Sequence, residues 1–454
     1  MQRRFYRLLQ NTCQSLWKIG QSPLRWQAVL AAIDDMLLYS EHIDAPERLP
    51  YQQLLHHIKD GFAGEDIDVL LLHELEDATN NLHRAVRVDF IVLRQTHWGA
   101  VRPLVDAFQS LGCDVRIIPV PMLQERQDRW GQAFAEIVEN DGYNVTDFRT
   151  YHIEDEMPDI VVDNMAVDCA KIPEFRFLRV SSLVDYTVHV EHSILTGYNE
   201  AMKRSYFRVG RSRCWQYLVP SPLYEKAFPL IMRIDGSFLS EGCSEMDTVF
   251  QSQKRPLEEI TDKRTKILWN VDALDPEHDL PGDYARLEKE IKYIQVVATK
   301  YPDVISIIRP HPNFENQEKC ALLQRSLDEI VRTHSNVILN TNPLIYDSYR
   351  NVHAMVTWVS STTLFSFAAT GKPVIVLPTY IDGGYDTMLD MHLLSVIPIA
   401  YSEADIIDFV QKIEADTDKA NRIAVFREYT GPINGTASLR IAQEVLARYE
   451  KSFS

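Results

Sequence analysis

The chain has few cysteines and few glycines for its length, and no long apolar run. Its six cysteines (Cys13, Cys113, Cys169, Cys214, Cys243 and Cys320) are spread over 454 residues, and none forms a C-x-x-C pair. Such spacing argues against a disulfide scaffold and a structural zinc site, and suits buried thiols in a reducing compartment. No uninterrupted apolar stretch approaches the roughly 20 residues that cross a bilayer. The opening segment, MQRRFYRLLQNTCQSLWKIG, starts with positive charge but lacks the continuous apolar stretch of a secretion signal, so the cytoplasm is the expected location. The first 85 residues contain no Gly-rich phosphate loop. His56, His57 and His73 lie in helical segments with no third ligand type at metal spacing, so no metal is expected.

Positive charge is also in deficit. The chain carries 47 Lys and Arg against 64 Asp and Glu, a net charge of −17. That surface repels nucleic acid phosphates, so non-specific DNA or RNA binding has little electrostatic support. A small anionic ligand is still allowed, since it needs only a local basic pocket and oriented backbone N–H groups. An apolar fraction of 45% and a charged fraction of 24% are those of an ordinary globular chain, long enough for two or three domains.

Hydrophobic periodicity divides the chain into three parts. Residues 1–85 read as a helical segment. Residues 86–235 read as a first Rossmann-like domain: VRVDFIVLRQ is a buried strand, GAVRPLVDAFQSLG a helix closing near Gly112, and CDVRIIPVP and PDIVVDN further strands. The stretch GSFLSEGCSEMDTVFQSQKRPLEEITDKR is polar and linker-like at its end, and residues 236–454 read as a second Rossmann-like domain. There KILWNVDA, DVISIIRPHP, NVILN, AMVTWV and KPVIVLP are strands separated by helices. Strands alternating with helices in both halves predict two doubly wound α/β domains facing each other, preceded by helices.

Two motifs carry candidate chemistry. In VHAMVTWVSSTTLFSFAATGKPVIVLP, a strand ends at Val359 and Ser360, Ser361, Thr362 and Thr363 open a helix. Hydroxyl residues there cap the helix and leave N–H groups pointing outward. A helix end of this kind favours an anion by roughly 0.3–2 kcal/mol; plain N-capping explains the same residues. In IIRPHP, Arg309 and His311 sit where a strand leaves the sheet, and two prolines stiffen the turn. Arg309 can offer a fork of donors to a phosphate, and His311 can donate a hydrogen bond or act as an acid. A rigid turn with an exposed Arg and a core His is the plainer alternative.

Taken together, KILWNVDA, IIRPHPNF, YDSYRNVHAMVTWVSSTTLFSFAATGKPVIVLP and GPINGTASLRIAQEVL resemble the CDP-glycerol glycerophosphotransferase family of teichoic acid and capsule polymer biosynthesis. The first strand units, VRVDFIVLRQ to CDVRIIPVP and PDIVVDN, are similar to those of capsule-associated members. The resemblance implies a GT-B fold, with the acceptor on the first domain and a nucleotide-activated, CDP-linked donor on the second. It implies that Arg309 and His311 face the donor diphosphate, that Ser360, Ser361 and Thr362 bind its phosphates, and that Gly435 lies at the edge of the donor site. Members place a histidine base in the first domain, and His192, beside His189 in YTVHVEHSILTG, is the candidate here. The three-residue spacing of His189 and His192 would also suit one face of a helix.

The implied reaction moves a glycerol-phosphate unit to a hydroxyl of a glycan or polyol-phosphate acceptor, without metal or other cofactor. Two other readings stand beside it. One is a GT-B glycosyltransferase using a nucleotide sugar. The other is a catalytically silent scaffold in capsule assembly, motivated by Val271-Asp272-Ala273 and Thr357-Trp358-Val359, where many members carry Pro-His-His and Thr-Asp-Tyr. Arg3, Arg4, Arg7 and Lys18 could also bring the first helix to the inner face of the membrane or to capsule-assembly proteins.

Overall fold

The computed structural model describes residues 12, 26–41, 48–63, 73–75, 78–79, 85–93, 95–121, 135–136, 138–156, 158–164, 171–190, 214–224, 237–254, 263–271, 283–310, 321–340, 345–358, 363–378, 380–381, 384–385, 393 and 395–452. Two helices, α1 (Trp26–Ser40) and α2 (Arg48–Ala63), come first. Val29, Ile33 and Met36 of α1 meet Tyr51, Leu55 and Ile58 of α2 in a small core of their own. The three- and four-residue spacing of these apolar positions is what makes one buried face on each helix.

Six strands then form the first sheet: β1 (Arg87–Val92), β2 (Asp114–Pro119), β3 (Ile160–Asp163), β4 (Thr187–Val190), β5 (Gln216–Leu218) and β6 (Ser237–Leu239), in the order β2-β1-β3-β4-β5-β6. All neighbours are parallel. Such strands are covered on both faces, which explains the apolar runs Phe90–Val92 of β1 and Ile160–Val162 of β3. Helix α3 (Gln95–Ser110) crosses from β1 to β2. It ends where Gly112 takes φ 78°, with Cys113 N–H donating to Phe108 O at 3.1 Å and Gly112 N–H to Gln109 O at 3.0 Å. That paired closure needs a left-handed residue, which glycine supplies without strain.

The second sheet has five parallel strands: β7 (Thr265–Val271), β8 (Val304–Pro310), β9 (Val337–Leu339), β10 (Ala354–Trp358) and β11 (Val374–Leu377). Their order is β11-β10-β7-β8-β9, so the winding reverses between β7 and β10. Its helices are α5 (Ser244–Lys254), which leads into it, then α6 (Asp283–Lys300), α7 (Ala321–Thr333), α8 (Ile345–Asn351), α9 (Thr363–Ala368), α10 (Glu403–Lys412) and α11 (Lys419–Thr430). The short α4 (Phe177–Leu183) belongs to the first sheet.

Two features depart from a division at residue 235. β6 begins at Ser237 and pairs with β5, so the first sheet extends past residue 235. The last helix, α12 (Ala437–Lys451), returns to the first unit, where Ile441, Ala442, Val445 and Tyr449 pack with Val88, Phe90 and Leu104. The two units also share a core, in which Tyr217 and Val219 lie with Met246, Leu268 and Phe365. Among the described residues no helix is long and apolar enough to cross a membrane.

Candidate functional site

The reversal between β7 and β10 opens the crevice in which sheets of this winding hold ligands, beyond the carboxyl ends of the strands. Asn270 stands at that edge of β7. Its Nδ2 donates to Thr357 Oγ1 of β10 at 3.1 Å and to Thr363 Oγ1, the first residue of α9, at 3.0 Å. One carboxamide thus ties together the two strands that border the crevice and the helix that leaves it. Arg309 lies beside Asn270, in register with it on β8. Because β8 and β10 flank β7 on either side, Arg309 and Trp358 end on one edge of the sheet.

Arg309 is only 7% exposed. Burial holds its guanidinium below the usual arginine range. The phenols of Tyr346 and Tyr349 on α8 are fully buried and pushed upward, chiefly by burial, so both stay neutral near pH 7. Tyr346 donates to Glu245 Oε1 of α5 at 3.0 Å, and Tyr349 shares a 2.8 Å bond with Ser366 of α9. A guanidinium carries a fork of donors whose geometry matches a phosphate.

The first unit reaches the same place. Gly99, one turn into α3, abuts the Tyr346 ring so closely that a Cβ at this position would collide with it. Ser244 Oγ and Thr248 Oγ1 of α5 donate to the carbonyls of Ala100 and Gly99, each at 2.5 Å. Helix α3 leaves the carboxyl end of β1, and α8 follows the carboxyl end of β9. Their contact turns the ligand-binding edges of the two sheets toward each other.

Of the site residues that the resemblance implies, Arg309 and Gly435 are described. His311, His192, Ser360, Ser361 and Thr362 lie outside the described residues, as do Arg3, Arg4, Arg7 and Lys18. Gly435 has φ 77° and sits against the Phe250 ring of α5. The helix end that follows it is closed by Asp247, whose carboxylate accepts from Ala437 N–H at 3.1 Å and Ser438 N–H at 2.7 Å. Those N–H groups are therefore engaged by the protein itself. The helical reading of the two histidines is corrected at His189, which is a fully buried strand residue of β4, its ring 4.9 Å from that of Tyr217 and edge-on to Phe177. The β-branched neighbours in TVHV favour a strand over a helix turn. Among the described residues no cluster of metal-ligating side chains occurs.

Asn270, Tyr346, Tyr349 and Glu245 escape a reading by motif. One signal was available: Asn270 is the only polar residue in ILWNV, at the strand end where ligands gather.

The chain matches no family model and no curated protein. Its fold does match solved structures. A UDP-N-acetylglucosamine 2-epimerase-like protein from Listeria monocytogenes aligns over 81% of this chain and 98% of its own, with 13% identity and a TM-score of 0.57. The S. aureus MnaA–UDP complex covers 81% of this chain and 97% of its own, at 14% identity and the same score. The Neisseria meningitidis UDP-GlcNAc 2-epimerase bound to UDP-GlcNAc covers 80% and 100%, at 14% identity and a score of 0.51. The fold is accordingly GT-B-like, with two Rossmann-like sheets and a helical N-terminal segment.

Proposed function

We propose that this protein is a transferase that holds a nucleoside-diphosphate-linked donor at the β7/β10 edge and passes its activated group to a hydroxyl acceptor. The observation that carries this reading is the Asn270–Thr357–Thr363 bridge with buried Arg309 beside it, at the place where the sheet reverses. Arg309 neutralises charge on the leaving diphosphate, while the bridge fixes the crevice walls. Positioning of this sort is what lowers the barrier when charge builds on a leaving phosphate.

Two donor classes fit the site. The order of IIRPHPNF, TWVSSTTLF and NGTAS along the chain supports a CDP-linked polyol, with glycerol phosphate transferred to a teichoic acid or capsule acceptor. In that reaction the acceptor oxygen attacks the distal phosphorus, CMP leaves, and His311 or His192 handles the proton. The UDP and UDP-GlcNAc named for two structures of similar fold support a nucleotide sugar instead. We favour the nucleotide-sugar class, because it needs only the diphosphate contacts that Arg309 offers and no Pro-His-His after β7.

Thermal stabilisation by CDP-glycerol, UDP-N-acetylglucosamine and a GDP-linked sugar separates the cases, since a ligand bound only by the folded state raises stability by mass action. The expected result is stabilisation by a UDP-linked donor, with transfer of the sugar to a hydroxyl acceptor and release of UDP followed by NMR. Stabilisation by CDP-glycerol alone transfers the assignment to the polyol class. Indifference to all three ends the donor-site reading.

A further inference from the structure

Asn164 follows directly on Asp163, the last residue of β3. In the first sheet the winding reverses between β1 and β3, so this is the carboxyl edge at which such a sheet holds its ligand. The side chain is 1% exposed, and neither Oδ1 nor Nδ2 has a hydrogen-bond partner among the described residues. Buried amides are otherwise nearly always paired, because an unpaired one forfeits its hydration for nothing.

The residue before it on the strand is already paired. Asp163 forms an ion pair with Lys171, and both side chains are wholly buried. The Lys171 ammonium also sits 5.8 Å from the Phe177 ring centroid. Asp163 is in register with His189, and His189 with Tyr217, so a polar row crosses three adjacent strands at this edge. The opposite charges of Asp163 and Lys171 cancel where they stand.

We infer that Asn164 reads a neutral group carrying both a hydrogen-bond donor and an acceptor, a sugar or polyol hydroxyl or an N-acyl amide, on the acceptor side of the protein. This rests on the transferase reading above and gives its acceptor a chemistry. A carboxamide offers two N–H donors and an acceptor oxygen. A hydroxyl or amide satisfies both ends at once. A phosphate or carboxylate has no proton to give Oδ1, which would stay unpaired.

The test uses the full chain with 15N-labelled asparagine and no nucleotide. The Asn164 side-chain NH2 signal is identified by its loss in Asn164→Leu. Methyl glucoside, N-acetylglucosamine and glycerol 3-phosphate are then titrated at constant ionic strength. The expected result is a saturable shift of that signal with one or both neutral sugars and none with glycerol 3-phosphate. A response to methyl glucoside marks hydroxyl recognition; a response to N-acetylglucosamine alone marks the amide. Asn164→Asp, nearly the same shape, is expected to weaken sugar binding by about tenfold or more, and serves if the Leu variant does not fold. No saturable shift with either sugar, or an equal shift with glycerol 3-phosphate, overturns the proposal. The two readings fail separately: a chain that ignores every nucleotide yet answers the sugars loses its transferase assignment, and one that binds a nucleotide with the Asn164 signal unmoved loses only this one.

Discussion

The carboxylate of Asp247 accepts the backbone N–H of Ser438 at 2.7 Å, so the helix that leads into the second sheet caps the helix that returns to the first. Asp247 is 1% exposed and also takes Ala437 N–H. Helix caps of this type contribute about 0.5–2 kcal/mol. Asp247→Ala is therefore expected to lower the unfolding free energy from urea denaturation by an amount in that range, and the midpoint with it, with Asp247→Asn recovering part of the loss. An unchanged midpoint in the Ala variant would show that the cap carries no weight.

Asn270 sets the width of the crevice between β7 and β10. Asn270→Leu leaves Thr357 without that donor inside the core, where it is 0% exposed, at an expected cost of about 1–3 kcal/mol. Nucleotide affinity should fall with it. The check is a denaturation curve beside a nucleotide titration. A variant of full stability and full affinity would refute the bridge.

Arg309→Lys keeps the charge and loses the fork of donors. If Arg309 grips a diphosphate, the lysine variant should bind nucleotide about 10- to 100-fold more weakly, the equivalent of one charge-assisted hydrogen bond at about 1.5–3 kcal/mol. Equal affinities for wild type and variant, measured by calorimetry, would remove Arg309 from the site.

His311→Ala bears on the chemical step. A general acid or base contributes about 100- to 10,000-fold, so turnover is expected to drop by that order while the far-ultraviolet spectrum and melting curve stay put. Full activity in this variant would move the proton elsewhere.

His353 gives a pH signature. Its Nδ1 accepts the N–H of Lys266 at 3.0 Å, and partial burial, then the charges of Lys266 and Lys372, hold the imidazole below its usual 6.5. The unfolded chain therefore takes up this proton first as the pH falls. Stability from this group is present in full above about pH 6.5 and is lost as the pH drops through the lower folded value. His353→Asn should flatten that part of the curve. Parallel wild-type and variant curves between pH 5 and 7 would count against it.

Much of this architecture is legible in the sequence because parallel strands buried on two faces are dominated by apolar, β-branched residues. KILWNV, ISIIRP and VRVDFIV announce themselves in that way. The three-residue β6 does not, since Ser237-Phe238-Leu239 is too short to show a pattern and owes its place to pairing with β5. Helix α11 has almost no apolar periodicity and is held by Phe426 and Tyr429 from the side of Phe365. At the site, Arg309 could be picked out from its position at a strand end. Asn270 stands out only as a polar residue at a strand end; its partners cannot be read, because Thr357 and Thr363 are 87 and 93 positions away and only the sheet brings them together. His189 is polar in composition and apolar in setting, and only its neighbours Tyr217 and Phe177 decide between the two.

The return of α12 to the first sheet has a consequence for synthesis. Val88, Phe90 and Leu104 leave the ribosome early, but Ile441, Val445 and Tyr449, which cover them, are made some 340 residues later. Until then the nascent first half carries an open apolar face, the kind of surface that draws chaperones and invites aggregation. Translation that stalls between the two sheets would leave that face with nothing of its own chain to close it.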